Sequence, residues 1–340
     1  MAFVLPPVVG LDIGHSAVKI SFRTAKKSGR HTFPSAVRPA RPISDEVEAR
    51  RAAAETVVFG GTSYWVGGTA ISQSSDTIGL ADEWIDSDPH TALLLYSAKW
   101  LAEQGVSLDS PDTQLVMGLP SLPLPRLKAL LASVVAHHFP KVSLKILPQP
   151  MGPYYNIMYG DDGRASEAHV MENESWAVVD VGFFTTDFAM MKLDRWNEDS
   201  RDSCAGINLA ADILLSILRD ERGFHHVTHS EMESAMHSGA FKYNGTTHKI
   251  AEDVARAYRP LVEQISEKAM AAFGANAHSL DGILIAGGGA SLVFPGLREL
   301  WPHAVLADEP RFAVADGFCR FGTMCQVLKL AGSKPSSSTS

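Results

Sequence analysis

The chain alternates short apolar runs with longer segments in which apolar positions recur every three or four residues. The first run, VVGL at 8–11, is followed by a glycine-containing turn and the alternating segment VKISF at 18–22. This pattern predicts two strands joined by a tight turn, with the sequence GHS at the turn. Further strands are predicted at 113–120, 176–182, 188–193 and 282–289.

Helical spacing of apolar positions predicts helices at 93–104, 126–139, 207–222 and 251–273. Segment 38–55 carries two prolines, then a candidate helix cap at Ser44 and a charged, alanine-rich stretch, which indicates a surface insertion that ends in a helix. Residues 56–69 are β-branched and aromatic around Gly60 and Gly61, which predicts a second hairpin. The first half is therefore mixed α/β.

The chain has two halves with the same order of elements. A polar, glycine-containing segment at 160–174 gives the best interior boundary signal. Each half starts with a strand, an acidic residue, a glycine turn and a second strand, which indicates a weak internal duplication with one lobe in each half. The serine-rich end of the chain has no apolar content, so we expect residues 333–340 to be disordered.

Composition narrows the classes of function. The 340 residues are 45% apolar and 20% charged, which fits a globular chain of about two domains. The net charge is -8 and the longest basic run is Lys26-Lys27, so we expect no direct contact with nucleic acid. Three cysteines without a CxxC pattern predict free thiols in a reducing cytoplasm. The first residues predict neither a signal peptide nor a membrane anchor, so we expect no membrane partner.

The first candidate motif is DIGHSAVK at 12–19, in which a carboxylate ends a buried strand. Gly14 permits a close approach of the backbone, so the amides of the turn can point at an anion. Lys19 on the returning strand supplies a point charge for a phosphate group. Taken alone, this motif is a weak signal and is more often an ordinary hairpin with an exposed lysine.

The second and third motifs offer complementary chemistry. In DVGFFTTD at 180–187, hydroxyl groups and turn amides can bind phosphate oxygens, and a carboxylate can hold Mg²⁺ through its water shell. In ILIAGGGA at 283–290, a buried strand runs into three glycines, on which a base and a ribose could lie flat. The turns of the first and second motifs could together bind one polyphosphate.

Together, the order and spacing of these three motifs resemble the two phosphate motifs and the adenosine motif of the actin-like ATPase superfamily. The segments VMGLP at 116–120, ILPQPMGPYYN at 146–156 and PRFAVADGFCRFG at 310–322 are similar to the ParM/StbA family of plasmid-segregation actins. The segment QPMGPYYN and the chain length further resemble protein D of PRTRC systems, a ParM-like group.

The resemblance implies an α/β actin-like fold of two ribonuclease-H-like lobes, with ATP or GTP and Mg²⁺ in a cleft between them. The first lobe would cover 1–160 with an insertion at about 30–85, the second would cover 161–315, and a helix at 316–332 would return to the first lobe. Asp12 and Asp180 would organise the water shell of the metal.

The remaining site residues are carried over from the same resemblance. The β-phosphate would contact Gly14, His15, Ser16 and Lys19, the γ-phosphate Gly182, Thr185 and Thr186, and the adenosine Gly287, Gly288 and Gly289. His15 departs from the family, in which a small hydroxyl residue is commoner. Its imidazole could donate a hydrogen bond to phosphate or point outward.

Gln149, between Pro148 and Pro150, is the best match to the residue that acts on the attacking water in this superfamily. An amide is a poor base at neutral pH, so Gln149 would orient the water, as a glutamine does in small GTPases. The alternative is a loop glutamine with a structural role.

The resemblance implies an ATPase that forms filaments with itself and positions plasmid DNA through a DNA-bound adaptor of ParR type. The acidic net charge favours an adaptor over direct DNA contact. One alternative is a sugar or acid kinase on the same scaffold, for which Asp187 is the candidate base. The other is a nucleotide-binding interaction module that does not polymerise.

Overall fold

The computed structural model describes residues 5–73, 84–121 and 124–332, and the chain divides into two compact units. The first unit contains Met1–Val170 together with Val314–Ser340, and the second contains Met171–Ala313. The serine-rich end predicted to be disordered, 333–340, lies outside the described residues. Within the described ranges, no helix has the length and apolar character needed to cross a membrane.

Up to residue 170, the first unit alternates strands and helices. Its strands are β1 (Val8–Ile13), β2 (Ala17–Arg23), β3 (Ser28–Pro34), β4 (Val37–Pro39), β5 (Thr56–Phe59), β6 (Thr62–Val66), β7 (Gln114–Leu119) and β8 (Ser143–Pro148). Its helices in this part are α1 (Glu46–Ala54), α2 (Gly68–Ser72), α3 (Asp88–Glu103), α4 (Leu124–His138) and α5 (Met151–Met158).

A five-stranded sheet in the order β3-β2-β1-β7-β8 forms the centre of the first unit. The first three strands are antiparallel, and β7 and β8 run parallel to β1. Every residue of β1 is buried, as expected for a central strand covered on both faces. The insertion forms the small sheet β4-β6-β5, which confirms the hairpin predicted around Gly60.

The second unit repeats this plan with strands and helices that follow residue 170. Its strands are β9 (Ser175–Val181), β10 (Thr185–Lys192), β11 (Arg195–Trp196), β12 (Asp202–Ala205), β13 (Ala240–Tyr243), β14 (Thr246–Lys249), β15 (Gly282–Ala286) and β16 (Ala304–Leu306). Its helices are α6 (Ile207–Ser216), α7 (His229–Ser238), α8 (Ala251–Phe273) and α9 (Ala290–Leu300). The last helix of the chain, α10 (Ala313–Gly332), belongs to the first unit apart from its first residue.

The main sheet of the second unit has the order β11-β10-β9-β15-β16, with β12 also paired to β10. Here too the strands on one side of β9 are antiparallel, whereas β15 and β16 run parallel to it. Both sheets therefore carry the ribonuclease-H-like arrangement, and the internal duplication predicted from element order is confirmed. Helices α6, α8 and α9 contribute to one continuous apolar core with this sheet.

Helix α10 packs directly on the sheet of the first unit. A Cβ atom on Gly10 would lie 2.0 Å from the carbonyl oxygen of Ala315, so only glycine allows this approach. Phe318 of α10 is fully buried and clusters with Val116 of β7. On the other face, Leu93 and Leu94 of α3 fill the core against the same sheet.

Several predicted bounds differ from the structure. Helix α3 begins at Asp88 and not at 93, because Ser87 caps it and a proline follows in the first turn. The cap of α1 is Asp45 and not Ser44, since the Asp45 carboxylate accepts from the amide of Glu48.

Strand β10 begins at Thr185 and not at 188, because pairing with β9 extends the hairpin through polar residues next to the turn. Strand β15 ends at Ala286, since Gly287 has a φ of 91° that leaves the extended region. Helix α6 ends at Ser216 and continues as a π-helical turn at Ile217–Glu221.

Candidate functional site

The first predicted motif forms a charged pair at the end of the central strand. Asp12 of β1 lies directly opposite Lys19 of β2 in the antiparallel register. The Lys19 Nζ atom is 3.0 Å from Asp12 Oδ2, and both side chains are largely buried. This ion pair fixes the ammonium group beside the turn formed by residues 14–16, here called the first turn.

Gln149 also contacts Asp12, from the end of a strand that lies two positions from β1 in the same sheet. It directly follows β8, and its Nε2 donates to Asp12 Oδ1 over 2.9 Å. An amide nitrogen can only donate and a carboxylate can only accept, so this contact leaves Gln149 Oε1 available to accept a hydrogen bond. A Cβ atom on Gly118 would lie 2.8 Å from Gln149 Cγ, so the glycine in β7 makes room for the glutamine.

The first turn is held open by backbone contacts. The amide of Gly14 donates to the carbonyl of Ala17 over 3.2 Å, and the amide of Ser35 donates to the carbonyl of Ser16 over 3.0 Å. The Ser35 hydroxyl donates to the carbonyl of Gly14. A side chain at Gly14 would crowd Lys19, whose Nζ would lie 3.0 Å from the added Cβ atom. These contacts present the turn as a rigid loop with an ammonium group beside it.

His15 does not simply point outward. Its ring lies 5.0 Å from the ring of Trp84, measured between centroids, and Trp84 in turn makes an edge contact of 4.9 Å with His90. Burial, reinforced by the charge of His15, lowers the pKa of His90 to about 4. His90 is therefore neutral at pH 7 and adds no positive charge beside Trp84. Sequence reasoning missed Trp84 and His90, which no local motif marks.

In the second unit, two carboxylates face each other across the hairpin of β9 and β10. Asp180 is the direct cross-strand partner of Asp187, so both side chains lie on the same face of the sheet, and both are buried. The hydroxyl of Thr185 donates to Asp187 Oδ2 over 3.0 Å. Asp187 thus orients the hydroxyl that borders the turn at 182–184, here called the second turn.

Thr186 is turned away from its neighbour Thr185. Successive side chains of a strand point to opposite faces, and the Thr186 hydroxyl donates to the carbonyl of Ala205 over 2.9 Å. Its side chain is 0% exposed. The structure brings Thr185 to the second turn but places Thr186 in the packing between β10 and β12.

Helix α6 starts against the second turn. The amides of Gly206 and Asn208 donate to carbonyls of Phe184 and Phe183, each over 2.8 Å. A Cβ atom on Gly206 would lie 2.5 Å from the carbonyl oxygen of Gly182. Gly206 is therefore required for the turn to pack on the helix, a role that the sequence analysis did not identify.

The glycine triplet at 287–289 lies beside the second turn, because β15 and β9 are parallel neighbours with Ala286 paired to Asp180. A Cβ atom on Gly287 would lie 2.6 Å from Asp180 Oδ1. Gly289 donates from its amide to the carbonyl of Val181 over 3.0 Å. Gly288 has no atom within 4 Å of the position of a Cβ atom, so its backbone faces open space. Ligands of α/β sheets commonly bind at the carboxyl ends of parallel strands, and the triplet lies at that end of β15.

The carboxylates of the second unit suit a hydrated cation, whereas both oxygens of Asp12 in the first unit are engaged by Lys19 and Gln149. Among residues 5–73, 84–121 and 124–332, no three His, Cys, Asp or Glu side chains form a group that could hold a metal ion. Mg²⁺ dehydrates reluctantly and is commonly bound by one or two carboxylates together with phosphate oxygens and water. Asp180, beside Asp187, provides such carboxylates, and like charges directly opposite on a sheet favour a nearby cation.

Two family models match this sequence. Residues 10–152 match the N-terminal domain of actin-like proteins, and residues 178–299 match the C-terminal part of the MreB-like archaeal actin homologues. The two matches fall in the first and second unit respectively. No curated protein matches the sequence significantly.

Solved structures of actin homologues share the fold. A 15-stranded ParM filament from Clostridium botulinum is 19% identical, with a TM-score of 0.75 over 94% of this chain and 99% of that chain. An archaeal actin homologue in complex with ADP is 20% identical, with a TM-score of 0.66 over 92% and 97%. A ParM from Bacillus thuringiensis with ATP is 16% identical, with a TM-score of 0.61 over 97% and 100%.

Proposed function

This chain is an actin-like protein over both of its units, and we propose that it hydrolyses ATP, forms filaments and positions plasmid DNA through a DNA-bound adaptor. The observation that carries the proposal is the pair of matching turns. Each follows a buried strand that bears a carboxylate, Asp12 in one unit and Asp180 in the other. In this proposal, both turns bind phosphates of the same nucleotide.

The residues of the first unit have complementary roles in the proposed hydrolysis. Lys19, held by Asp12, supplies positive charge to a phosphate at the first turn. Gln149 uses Oε1 to accept a hydrogen bond from the attacking water, because its Nε2 is engaged by Asp12. Asp12 thereby orients both the ammonium group of Lys19 and the side-chain amide of Gln149. One carboxylate therefore links phosphate binding to the position of the water.

The residues of the second unit bind the other end of the triphosphate. The backbone amides of the second turn donate to the phosphates in this proposal. The Thr185 hydroxyl gives its proton to Asp187, so its oxygen remains to accept a hydrogen bond from the water shell of a cation. Mg²⁺, when bound, would neutralise charge that develops on the phosphates, and Asp180 fits as the carboxylate that holds its water. The glycine triplet at 287–289 offers bare backbone for the nucleoside.

Self-assembly is supported by the relatives. The ParM from Clostridium botulinum that shares this fold forms a filament, and we propose that this chain also polymerises. A head-to-tail contact between identical subunits gives an open helical polymer unless its rotation closes a ring. The net charge of -8 supports recruitment to DNA through an adaptor of ParR type. Three free cysteines support a cytoplasmic location.

The kinase alternative requires Asp187 to accept a proton from a substrate hydroxyl. That carboxylate is only 4% exposed and already accepts the hydroxyl of Thr185, which makes it a poor match for this role. The two reactions are distinguished by measuring both ADP and inorganic phosphate formed from ATP with Mg²⁺, alone and with a panel of sugars and carboxylic acids. Equal amounts of ADP and inorganic phosphate without an acceptor support the ATPase. ADP that forms only with a sugar or an acid, without an equal amount of inorganic phosphate, supports the kinase and contradicts the proposal.

A further inference from the structure

A polar cavity lies within the first unit, towards the end of β2 that is remote from the first turn. It has a volume of about 370 Å³ and opens between the end of β2, the start of β3 and helix α10. Arg23 is the last residue of β2, and the first turn precedes its first residue, Ala17. At about 3.3 Å per residue, Arg23 lies about 20 Å along β2 from Ala17, and Ser21, the lining residue of β2 nearest to the first turn, lies about 13 Å from Ala17.

Three arginines and two aspartates line this cavity, which gives it a net charge of +1 in a chain of net charge -8. The charged residues are Arg23, Arg30, Arg320, Asp161 and Asp316. Ser21 and Ser28 add hydroxyl groups to the wall. The cavity is therefore a local positive site on an acidic protein.

One of the arginines is neutralised by a fixed partner. Arg30 binds Asp316 through two contacts, Nε to Oδ1 over 2.9 Å and Nη2 to Oδ2 over 2.7 Å. The Asp316 side chain is 5% exposed, and it lies on α10, which is packed against the sheet. This bidentate pair is a rigid wall of the cavity and contributes no excess charge.

The other two arginines share one weakly held acidic residue. Arg320 Nε donates to Asp161 Oδ1 over 2.9 Å, and Arg23 donates to the backbone carbonyl of Asp161. The Asp161 side chain is 85% exposed, so this carboxylate is largely hydrated and its ion pair is weak. Arg320 also donates to the backbone carbonyl of Asn156. Of the two guanidinium groups, only that of Arg320 contacts a carboxylate among the described residues, and that carboxylate is already surrounded by solvent.

From this arrangement we infer that the cavity binds a small molecule that carries a phosphate group, with the phosphate replacing the Asp161 carboxylate on Arg320 and also contacting Arg23. A phosphate monoester carries about two negative charges at pH 7, which matches two guanidinium groups better than a single carboxylate does. Planar guanidinium groups bind phosphate oxygens in pairs of parallel hydrogen bonds. The inference does not depend on nucleotide binding at the first turn.

The test is isothermal titration of the 340-residue chain with glycerol 2-phosphate. Binding is also measured in Lys19→Gln, which removes the ammonium group from the first turn and so isolates the cavity. We expect one site with similar affinity in the wild type and in Lys19→Gln. Arg23→Gln and Arg320→Gln should each weaken binding about tenfold or more, as expected for the loss of a charge-assisted hydrogen bond.

Asp161→Asn is the most discriminating variant. The exposed position should tolerate the change, and the variant removes a carboxylate that competes with the ligand for Arg320. We expect binding to tighten about threefold or more, whereas a merely structural Asp161 would leave the affinity unchanged or lower it. Arg195→Gln, at an exposed arginine of the second unit, is the matched control and should bind like the wild type.

Three outcomes would overturn the inference. The first is the absence of binding at millimolar ligand in the wild type. The second is binding that disappears in Lys19→Gln but persists in Arg23→Gln, which would assign it to the first turn. The third is binding of an oligoglutamate peptide without binding of glycerol 2-phosphate, which would identify a protein partner as the occupant.

Discussion

Gln149 donates from its Nε2 to Asp12 Oδ1 over 2.9 Å, although 137 residues separate the two along the chain. The contact arises because β1 and β8 belong to the same sheet with β7 between them, so residues at the ends of these strands meet. Asp12 also binds Lys19 over 3.0 Å. One buried carboxylate therefore orients the proposed water-binding amide and the proposed phosphate-binding ammonium group.

Replacing Gln149 with alanine should slow ATP hydrolysis by roughly 10²-fold, a typical effect of losing a group that positions a nucleophile. The affinity for ATP should remain nearly unchanged, because the Lys19 and Asp12 ion pair is retained. Single-turnover phosphate release and equilibrium ATP binding measure the two effects separately. Gln104→Ala, on the surface of the same unit, is the control. If affinity and hydrolysis fall together, Gln149 has a structural role.

Replacing Asp180 with asparagine should abolish Mg²⁺-dependent hydrolysis, with a loss of about 10²-fold or more expected from weaker stabilisation of the phosphates. The substitution keeps the size of the side chain that lies beside Gly287. Phosphate release is measured over a range of Mg²⁺ concentrations. Asp199→Asn, at an exposed aspartate of the same unit, should behave like the wild type. Normal turnover in Asp180→Asn would rule out the assigned role of the second turn.

Helices and hairpins that are set by the spacing of nearby residues were predictable from the sequence. The helix predicted at 251–273 is observed at Ala251–Phe273, because its apolar residues recur on one face and meet the core. The strand, turn and strand at each motif follow from short apolar runs around glycine. Asp12, Lys19, Asp180 and Thr185 lie next to their predicted turns for the same reason.

Contacts between distant segments were not predictable from the sequence. Trp84 packs on His15 because the turn before α3 reaches the first turn, and no periodicity reports that approach. Thr186 was assigned to phosphate from the resemblance, but the pairing of β10 with β12 directs its hydroxyl to Ala205. Such outcomes depend on which strands become neighbours, which a local pattern leaves undetermined.

Trp84 should report nucleotide binding at the first turn. Its ring packs on His15 at 5.0 Å, so a phosphate that draws the imidazole toward itself changes the surroundings of the indole. We expect nucleotide to change the intrinsic fluorescence of the wild type and the change to be largely lost in Trp84→Phe. His15→Ser should reduce it, whereas Trp196→Phe, in the second unit, should keep it. If nucleotide changes the fluorescence of Trp84→Phe as much as that of the wild type, the signal does not come from the first turn.

His90 should make the first unit labile to acid. Its folded pKa of about 4 lies below the ordinary value of 6.5, so the unfolded state binds more protons once the pH falls below about 6.5. Stability should decrease from pH 6.5 to about 4 by up to about 3 kcal/mol and change little further through this group.

Urea unfolding at several pH values measures this loss. His90→Gln should flatten the profile between pH 6.5 and 4, and His225→Asn, at an exposed histidine, should retain the slope of the wild type. A profile that stays equally steep in His90→Gln would assign the acid lability to other groups.

The three thiols should react slowly. Burial raises the pKa of Cys204 to about 11 and that of Cys319 to about 12, and burial also raises the pKa of Cys325. The thiolate is the reactive form, so little is present at pH 8. We expect slow alkylation by iodoacetamide in the folded protein and rapid alkylation of all three residues in urea. Rapid modification of Cys319 in the folded protein would contradict its burial against β1.

Assembly controlled by the nucleotide is the central claim, and right-angle light scattering at micromolar protein tests it most directly. Scattering should rise on addition of ATP with Mg²⁺ and decay as ATP is consumed, because hydrolysis removes the γ-phosphate that both turns are proposed to bind. A non-hydrolysable analogue should give a rise without decay, and Gln149→Ala should give a rise with a decay slowed in proportion to its hydrolysis. A flat trace with every nucleotide and at every protein concentration would contradict the account.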